Sequence, residues 1–181
     1  MPTKVRDKSR IGSASIRYFI VRVDDMSENR TLVAYATHGG TTEDYAKAIA
    51  SVLTDEFKMQ VELVNLRMDH NPNLTPYRNL IIGTGIQKFR LYKEGVEFLE
   101  KTDFGDRKVV IFVSALMPKD HIIDKYIDKI IQKNTNLKPL EVEVLGGRMK
   151  VLGRNISDKT DIEKSKVWAR KIAEQLQASK V

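Results

Sequence analysis

The feature that most constrains the fold is an alternation, from residue 31 onward, of short apolar runs with segments of helical period. Successive βα units around a parallel sheet have this pattern, because each strand is buried and each connecting helix buries one face. The five predicted strands are residues 31–36, 59–64, 79–83, 108–114 and 140–145. The sequence therefore predicts an α/β fold with a five-stranded parallel sheet.

Four segments repeat apolar residues every three or four positions, as helices with one buried face do. These residues are Tyr45, Ile49, Leu53 and Phe57; Tyr92, Val96, Phe98 and Leu99; Ile122, Tyr126 and Ile130; and Trp168, Ile172 and Leu176. We expect Trp168 to pack in the core rather than to contact a ligand. The connection 65–78 is rich in Asp, Asn and Pro, so we expect a loop there with at most a short helical turn.

The strands differ in the continuity of their apolar runs, and this difference predicts their order. Central strands of a parallel sheet are covered on both faces, whereas edge strands are more exposed. The first, third and fourth strands are unbroken apolar runs, while the second and fifth alternate apolar with acidic residues, at Glu62, Glu141 and Glu143. We therefore expect a doubly wound sheet of order 2-1-3-4-5.

Composition excludes several classes of function. The chain has no cysteine, which excludes disulfides, thiolate catalysis and cysteine-ligated metal sites, so redox chemistry would need an organic cofactor. No metal-ligand spacing or nucleophile–base pair is apparent, and we expect His70 and His121 to lie in surface loops. A bilayer-spanning run of roughly 18 apolar residues and a signal-peptide pattern are both missing, so we expect a cytoplasmic protein.

The first 25 residues do not follow the alternation. Residues 1–15 are polar and basic, and the apolar run 16–23 could add a strand at a sheet edge or form an arm onto a partner. We therefore expect an extension at 1–25 followed by a functional domain at 26–181. The net charge of +7 fits either an acidic partner or a basic surface that only maintains solubility.

The loop after the first strand has the composition of an anion site. Its residues are Thr37, His38, Gly39, Gly40, Thr41 and Thr42. Glycines let a ligand approach the backbone, and the N–H groups at the start of the following helix favour a phosphate. In such sheets, ligands bind beyond the carboxyl ends of the strands where the order reverses, here beside the first and third strands. The alternative is that Thr41 or Thr42 only caps the helix.

Residues 33–49 resemble the flavodoxin signature, in particular that of the branch with the menaquinone-dependent protoporphyrinogen dehydrogenases. The Thr-x-x-Gly-x-Thr pattern of that branch is matched by Thr37, Gly40 and Thr42. The resemblance implies a flavodoxin-like fold in which this loop wraps the phosphate of flavin mononucleotide (FMN). Residues 80–86 and 112–118 are similar to the second and third flavin loops, and 145–149 to the glycine-rich end of the fifth strand.

The resemblance also implies that the flavin ring lies between the second and third loops. The expected cofactor contacts are Thr37, His38, Gly39, Gly40, Thr41, Thr42, Thr84, Gly85, Ile86, Gln87, Lys88, Ser114, Ala115, Leu116 and Met117. Many family members have an aromatic residue just after the position of Ile86, where this chain has Gln87 and Lys88. Phe89 and Tyr92 are therefore either ring contacts or core residues, and the stacking partner stays open.

Three functions are compatible with the sequence. The first is an FMN-binding electron carrier or small flavin oxidoreductase, whose partner is a redox protein, acidic in character, or a small-molecule electron donor or acceptor. The second is a protoporphyrinogen dehydrogenase-like enzyme, although the long insertion of that family after the fifth strand is missing. The third is a flavin-free interaction module of this fold. Nucleic-acid binding is not expected, and the sequence leaves a homodimer open.

Overall fold

Helices on both faces of a parallel sheet cover the apolar runs of the sequence. The computed structural model describes residues 30–151 and 154–178. Its elements are β1 (Arg30–Tyr35), α1 (Thr41–Asp55), β2 (Gln60–Asn65), β3 (Asn79–Gln87), β4 (Arg90–Leu91), α2 (Lys93–Lys101), β5 (Lys108–Ser114), α3 (Lys119–Ile122), a π-helical segment (Ile123–Ile127), α4 (Asp128–Lys133), β6 (Pro139–Leu145), β7 (Arg148–Val151), β8 (Arg154–Asp158) and α5 (Ile162–Gln177). The predicted extension 1–25, with its strand at 16–23, lies outside the described residues.

The main sheet has the predicted strand order. Its parallel strands are arranged β2-β1-β3-β5-β6, which is 2-1-3-4-5 when the five long strands are counted along the chain. β1 lies between β2 and β3, with Val33 opposite both Leu63 and Ile81. The chain leaves β1 and β3 toward opposite faces of the sheet, and this reversal opens a crevice at their carboxyl ends.

Two apolar clusters, one on each face of the sheet, form the core. On one face, side chains of β1, β3 and β5 pack against α2, α3 and α4. On the other face, alternate side chains of the same strands pack against α1 and α5. Trp168 of α5 is buried there, and its ring meets that of Phe112 edge-on at 6.1 Å between centroids. The predicted core position of Trp168 is confirmed.

The edge strand β6 departs from the simple picture of exposed acids and buried apolar residues. Leu140 is 52% exposed, whereas the carboxylates of Glu141 and Glu143 are largely covered. Glu141 accepts a hydrogen bond from Trp168 Nε1 at 3.0 Å and pairs with a lysine of α5. Glu143 lies between two lysines, at 2.8 and 2.9 Å. Burial acts to raise the pKa of both carboxyls, but these hydrogen bonds outweigh it and lower the pKa.

Three short strands and one helix position were not predicted. β4 has only two residues, and β7 pairs with β8 in an antiparallel hairpin between β6 and α5. Such short strands carry too few residues for a visible alternation.

His121 lies in α3 rather than in a loop, although its side chain is exposed as expected. The connection 66–78 has no helix, as predicted. Among the helices described, none has the length and apolarity to cross a membrane.

A substitution at Gly83 of β3 tests the close packing of the Phe112 ring against this strand. A Cβ added at Gly83 would lie 2.2 Å from the Phe112 ring, so Gly83→Ala forces that ring out of its place. We expect the free energy of unfolding to fall by about 1–3 kcal/mol in urea denaturation. Gly39→Ala is the matched control, because a Cβ there has nothing within 4 Å; equal stability of both variants would contradict the packing.

Candidate functional site

A cavity of about 650 Å³ lies at the carboxyl ends of β1, β3 and β5. Its lining comes from the loop after β1, the β3–β4 turn, the end of β5 and the start of β7. The lining residues are His38, Gly39, Thr41, Ile86, Gln87, Lys88, Phe89, Tyr92, Ser114, Ala115, Leu116, Met117, Gly147, Arg148 and Met149. Most of the cofactor contacts expected from the sequence therefore line one cavity.

Five of the expected contacts, Thr37, Gly40, Thr42, Thr84 and Gly85, do not line this cavity. Thr84 is fully buried, and its hydroxyl has no hydrogen-bond partner in the described part of the chain. It packs beneath Gly95 of α2, where an added Cβ would lie 2.6 Å from Thr84 Oγ1. The missing side chain of Gly95 thus allows α2 to approach β3 over Thr84, and Thr84 is not among the residues that line the cavity. Side chains alternate along a strand, which explains why neighbouring positions of β3 differ.

Gly85 lies where three side chains meet behind the cavity wall. A Cβ at Gly85 would lie 2.5 Å from the Tyr92 ring and 2.9 Å from Ser114 Oγ. Glycine is required at this position because these neighbours occupy the space of a side chain. Gly85 therefore contributes to the site by admitting Tyr92 and Ser114.

The loop between β1 and α1 is held by its own hydrogen bonds. Gly40 has φ of +88° and donates its N–H to Thr37 Oγ1 at 3.0 Å, so the hydroxyl of Thr37 is used inside the loop. Gly40 is the N-cap of α1, and no side chain among the residues that the structure describes caps this helix. The alternative prediction that Thr41 or Thr42 caps α1 is wrong.

Several backbone amides in this loop have no acceptor. The first amide of α1 with a helical partner is that of Asp44, which donates to the Gly40 carbonyl at 2.9 Å. The amides of Gly39 and of residues 41–43 donate to no acceptor within residues 30–151 and 154–178. Unpaired amides at a helix start carry partial positive charge, so this end of α1 is suited to an anion.

Thr42 links α1 to the end of β5. Its Oγ1 lies 2.7 Å from Ser114 Oγ, and both side chains are buried. This hydrogen bond joins the first and third loops behind the cavity. The hydroxyl of Thr42 is therefore engaged within the protein, and only the backbone amide of Thr42 remains available.

A cluster of polar side chains flanks the same loop. The ring of His38 stacks on that of Tyr92, with centroids 4.4 Å apart, and its Nε2 lies 3.3 Å from Glu94 Oε2. Arg67 Nε lies 3.6 Å from Glu94 Oε1, and Arg67 Nη1 donates to the Thr37 carbonyl at 3.4 Å. Sequence reasoning did not identify Arg67 or Glu94, because no local pattern links residues from a loop after β2 and the start of α2.

The β3–β4 turn is strained. Lys88 and Phe89, the two residues between the paired strands, have φ of +50° and +61°. Such turns usually carry glycine or asparagine, because other residues adopt positive φ at a cost. The Phe89 side chain is 76% exposed at the cavity mouth, so the alternative that Phe89 is a core residue is wrong. The hydroxyl of Tyr126 donates to the Phe89 carbonyl and supports the turn.

The start of β7 closes the remaining side of the cavity. An added Cβ at Gly147 would lie 2.9 Å from the Ala115 backbone, so glycine allows the two loops to touch. Arg148 pairs with Asp158 of β8 at 2.8 Å. Hydrogen bonds from Thr160 and Arg148 lower the pKa of Asp158 to about 2. The signal for this wall was present in the sequence as the pair of glycines after β6, but its contact residues were not predicted.

Comparison with known proteins identifies the family. The sequence profile described as Flavodoxin domain matches residues 32–177, which include every element from β2 to α5 and most of β1. The chain belongs to the flavodoxin domain family. A comparison with curated protein sequences finds no match.

Solved structures similar to this flavodoxin-domain protein have the same fold. They include oxidised Flavodoxin 2 from Bacillus cereus, at 25% identity over 81% of this chain and 99% of that one, with a TM-score of 0.55. A flavodoxin from the domain Archaea matches at 14% identity over 82% and 99%, with a TM-score of 0.57. NAD(P)H:quinone oxidoreductase from Methanothermobacter marburgensis matches at 13% over 81% and 98%, with a TM-score of 0.55. The last two likenesses concern the fold alone.

The hydrogen bond between Thr42 and Ser114 is testable without a ligand. Thr42→Val keeps the shape of the side chain but leaves Ser114 Oγ unpaired, so we expect a loss of about 1 kcal/mol in the free energy of unfolding. Ser114→Ala should cost a similar amount, and the double variant no more than either single one. Thr54→Val is the control, because Thr54 is exposed on the same helix, and its free energy of unfolding should stay within about 0.5 kcal/mol of wild type. Additive losses in the double variant would contradict the bond.

Proposed function

We propose that this flavodoxin-domain protein binds FMN in the cavity and acts in electron transfer, as a carrier or as a small flavin oxidoreductase. The observation that carries the proposal is the set of amides at Gly39 and residues 41–43, which have no acceptor in the described part of the chain; Gly39 and Thr41 of this set line the cavity. These amides match the phosphate of FMN, a compact anion with several acceptor oxygens. Membership of the flavodoxin domain family supports this assignment.

The phosphate end of the site fits a ligand that approaches the backbone closely. An added Cβ at Gly39 or Gly40 would meet nothing within 4 Å, so open space adjoins both glycines. The side chain of Thr41 lines the cavity and has no hydrogen-bond partner among the residues described. We assign to this hydroxyl, together with the amides, the binding of the phosphate oxygens.

The ring end of the site fits a flat, largely apolar group. The lining at this end combines Ile86 and Phe89 from the β3–β4 region with Leu116 and Met117 from the loop after β5. A flavin ring needs apolar or aromatic faces and a few backbone donors and acceptors at its edge, which these loops can supply. We assign the stacking contact to Phe89, because its ring is exposed at the cavity mouth on a strained turn.

Bound FMN supplies the redox chemistry, and the protein binds and orients it. Phe89 and Met117 would exclude water from the ring faces, and the amides of α1 would fix the position of the phosphate. Lys88 and Arg90 are exposed near the mouth, and neither has an ion-pair partner within the described ranges. We therefore propose an acidic redox protein, or a small-molecule electron donor or acceptor, as partner. We also propose a cytoplasmic location, as expected from the sequence. Nucleic acid is not proposed.

Oxidation of a tetrapyrrole is not the function we propose. The protoporphyrinogen dehydrogenase branch that the signature resembles is expected to carry a long insertion after the last strand. In this chain, the corresponding stretch contains the short β7–β8 hairpin, and α5 begins at Ile162. A general flavin carrier or oxidoreductase needs no such insertion.

Flavin titration with a loop variant tests the proposal. We expect the wild-type protein to quench FMN fluorescence on binding and Gly40→Val to abolish binding, because a branched side chain cannot easily adopt a φ of +88° and would occupy the space of the phosphate. Gly105→Val is the matched control, since Gly105 also has a positive φ but lies in a remote turn. Both variants should lose about 1–2 kcal/mol of stability, and only Gly40→Val should lose FMN. Equal FMN affinity in all three proteins would refute the site.

The stacking assignment predicts a second effect. We expect Phe89→Ala to weaken FMN binding by about tenfold, which corresponds to the contribution of roughly 1.4 kcal/mol from one aromatic contact. The overall stability should change little, because Phe89 is exposed. Tyr126→Phe, which removes only the hydrogen bond to the turn, is the control and should retain most of the affinity. An FMN affinity unchanged by Phe89→Ala would assign the stacking to another residue.

A further inference from the structure

One acidic side chain is central to the polar cluster beside the loop. Glu94 is held between His38 and Arg67, at 3.3 and 3.6 Å, and its own side chain is only 18% exposed. Burial acts to raise the pKa of Glu94, but hydrogen bonds from its own amide and from His38, with the charges of His38 and Arg67, hold it below its usual value. The carboxylate is therefore ionised and paired on both oxygens.

The two partners of Glu94 are both attached to the loop. His38 belongs to the loop, and one face of its ring stacks on Tyr92, with the centroids 4.4 Å apart, while the ring edge contacts Glu94. Arg67 reaches the loop backbone through the Thr37 carbonyl at 3.4 Å. Glu94 thus connects two consecutive loop residues to α2, while Thr37 holds Gly40 through its hydroxyl. The conformation that exposes the free amides is fixed from outside the loop.

We infer that Arg67 and Glu94 are positioning residues that hold Thr37 and His38 so that the loop amides converge on the phosphate of the flavin. This inference rests on the proposed function, and it adds two residues that do not line the cavity. They act through the loop, so their effect is confined to the phosphate end. The flavin ring is bound by other loops, and its contribution to affinity is independent of the cluster.

Two ligands that differ only in the phosphate should respond differently to loss of the cluster. FMN carries it and riboflavin does not, while both have the same ring. Without the cluster, the loop is more mobile in the free protein. Binding of FMN must then order the loop, and this cost lowers the observed affinity. We expect Glu94→Gln and Arg67→Met each to weaken FMN binding about five- to tenfold and to leave riboflavin binding unchanged.

The experiment is a fluorescence titration of the full chain with FMN and with riboflavin. The variants are Glu94→Gln, Arg67→Met and the double variant, which should bind FMN no more weakly than the weaker single variant, because both residues act through one network. Glu97→Gln is the matched control, since Glu97 lies on the same helix and, among the residues described, pairs only with two lysines of that helix. It should bind both flavins with wild-type affinity.

Two results of this titration would overturn the inference. The first is an unchanged affinity of Glu94→Gln and Arg67→Met for FMN. The second is an equal loss of affinity for FMN and riboflavin, which would mean that the cluster supports the ring or the fold as a whole. In both cases FMN still binds to the wild-type protein, so the proposed function would stand.

A flavin-free measurement keeps the inference testable if the proposed function fails. Inorganic phosphate added to the ¹⁵N-labelled chain should shift the amide signals of Gly39 and residues 41–43. The dissociation constant for phosphate should be larger in Glu94→Gln than in wild type. Phosphate binding of this kind without flavin binding would refute the proposed function and support the positioning role. Absence of phosphate shifts in the wild type, or equal shifts in Glu94→Gln, would overturn the positioning role.

Discussion

The unpaired amides at the start of α1 are the constraint on which the rest of the site depends. A helix of 15 residues begins at Thr41 with glycine at its N-cap, and no side chain in the described ranges accepts from its first N–H groups. Such a start is unfavourable alone and favourable with an anion, because the dipole and the amides point at the same place. The sheet order puts this helix end in the crevice between β1 and β3, and glycines leave the space beside it open.

Much of the fold follows from patterns that the sequence displays directly. Unbroken apolar runs predicted the central strands, and alternation with acids predicted the edges, so the order of the five long strands was correct. The expectation that acidic residues of an edge strand are exposed does not hold for Glu141 and Glu143, since lysines of α5 and α3 pair with them and cover them. Periodicity reports which face of a strand is polar, but it does not report which charged partners a neighbouring helix brings to that face.

The site was predictable as a set of loops and less so as a set of side chains. The glycines and threonines after β1 marked the anion loop, yet Thr42 bonds to Ser114 and Thr84 lies beneath Gly95. Whether a hydroxyl faces a ligand or the protein depends on packing between elements far apart in sequence. Arg67 and Glu94 illustrate the same limit, because they meet only through the folded positions of β2 and α2. The strained turn at Phe89 also has no glycine signal to reveal it.

A crystal structure of the full chain grown with FMN is the most direct measurement of the central claim. We expect the phosphate within hydrogen-bond distance of the amides of Gly39 and residues 41–43, with the ring between Phe89 and the loop at the end of β5. FMN bound at another place, or a crystal with excess FMN in which these amides bond to the chain itself, would contradict it.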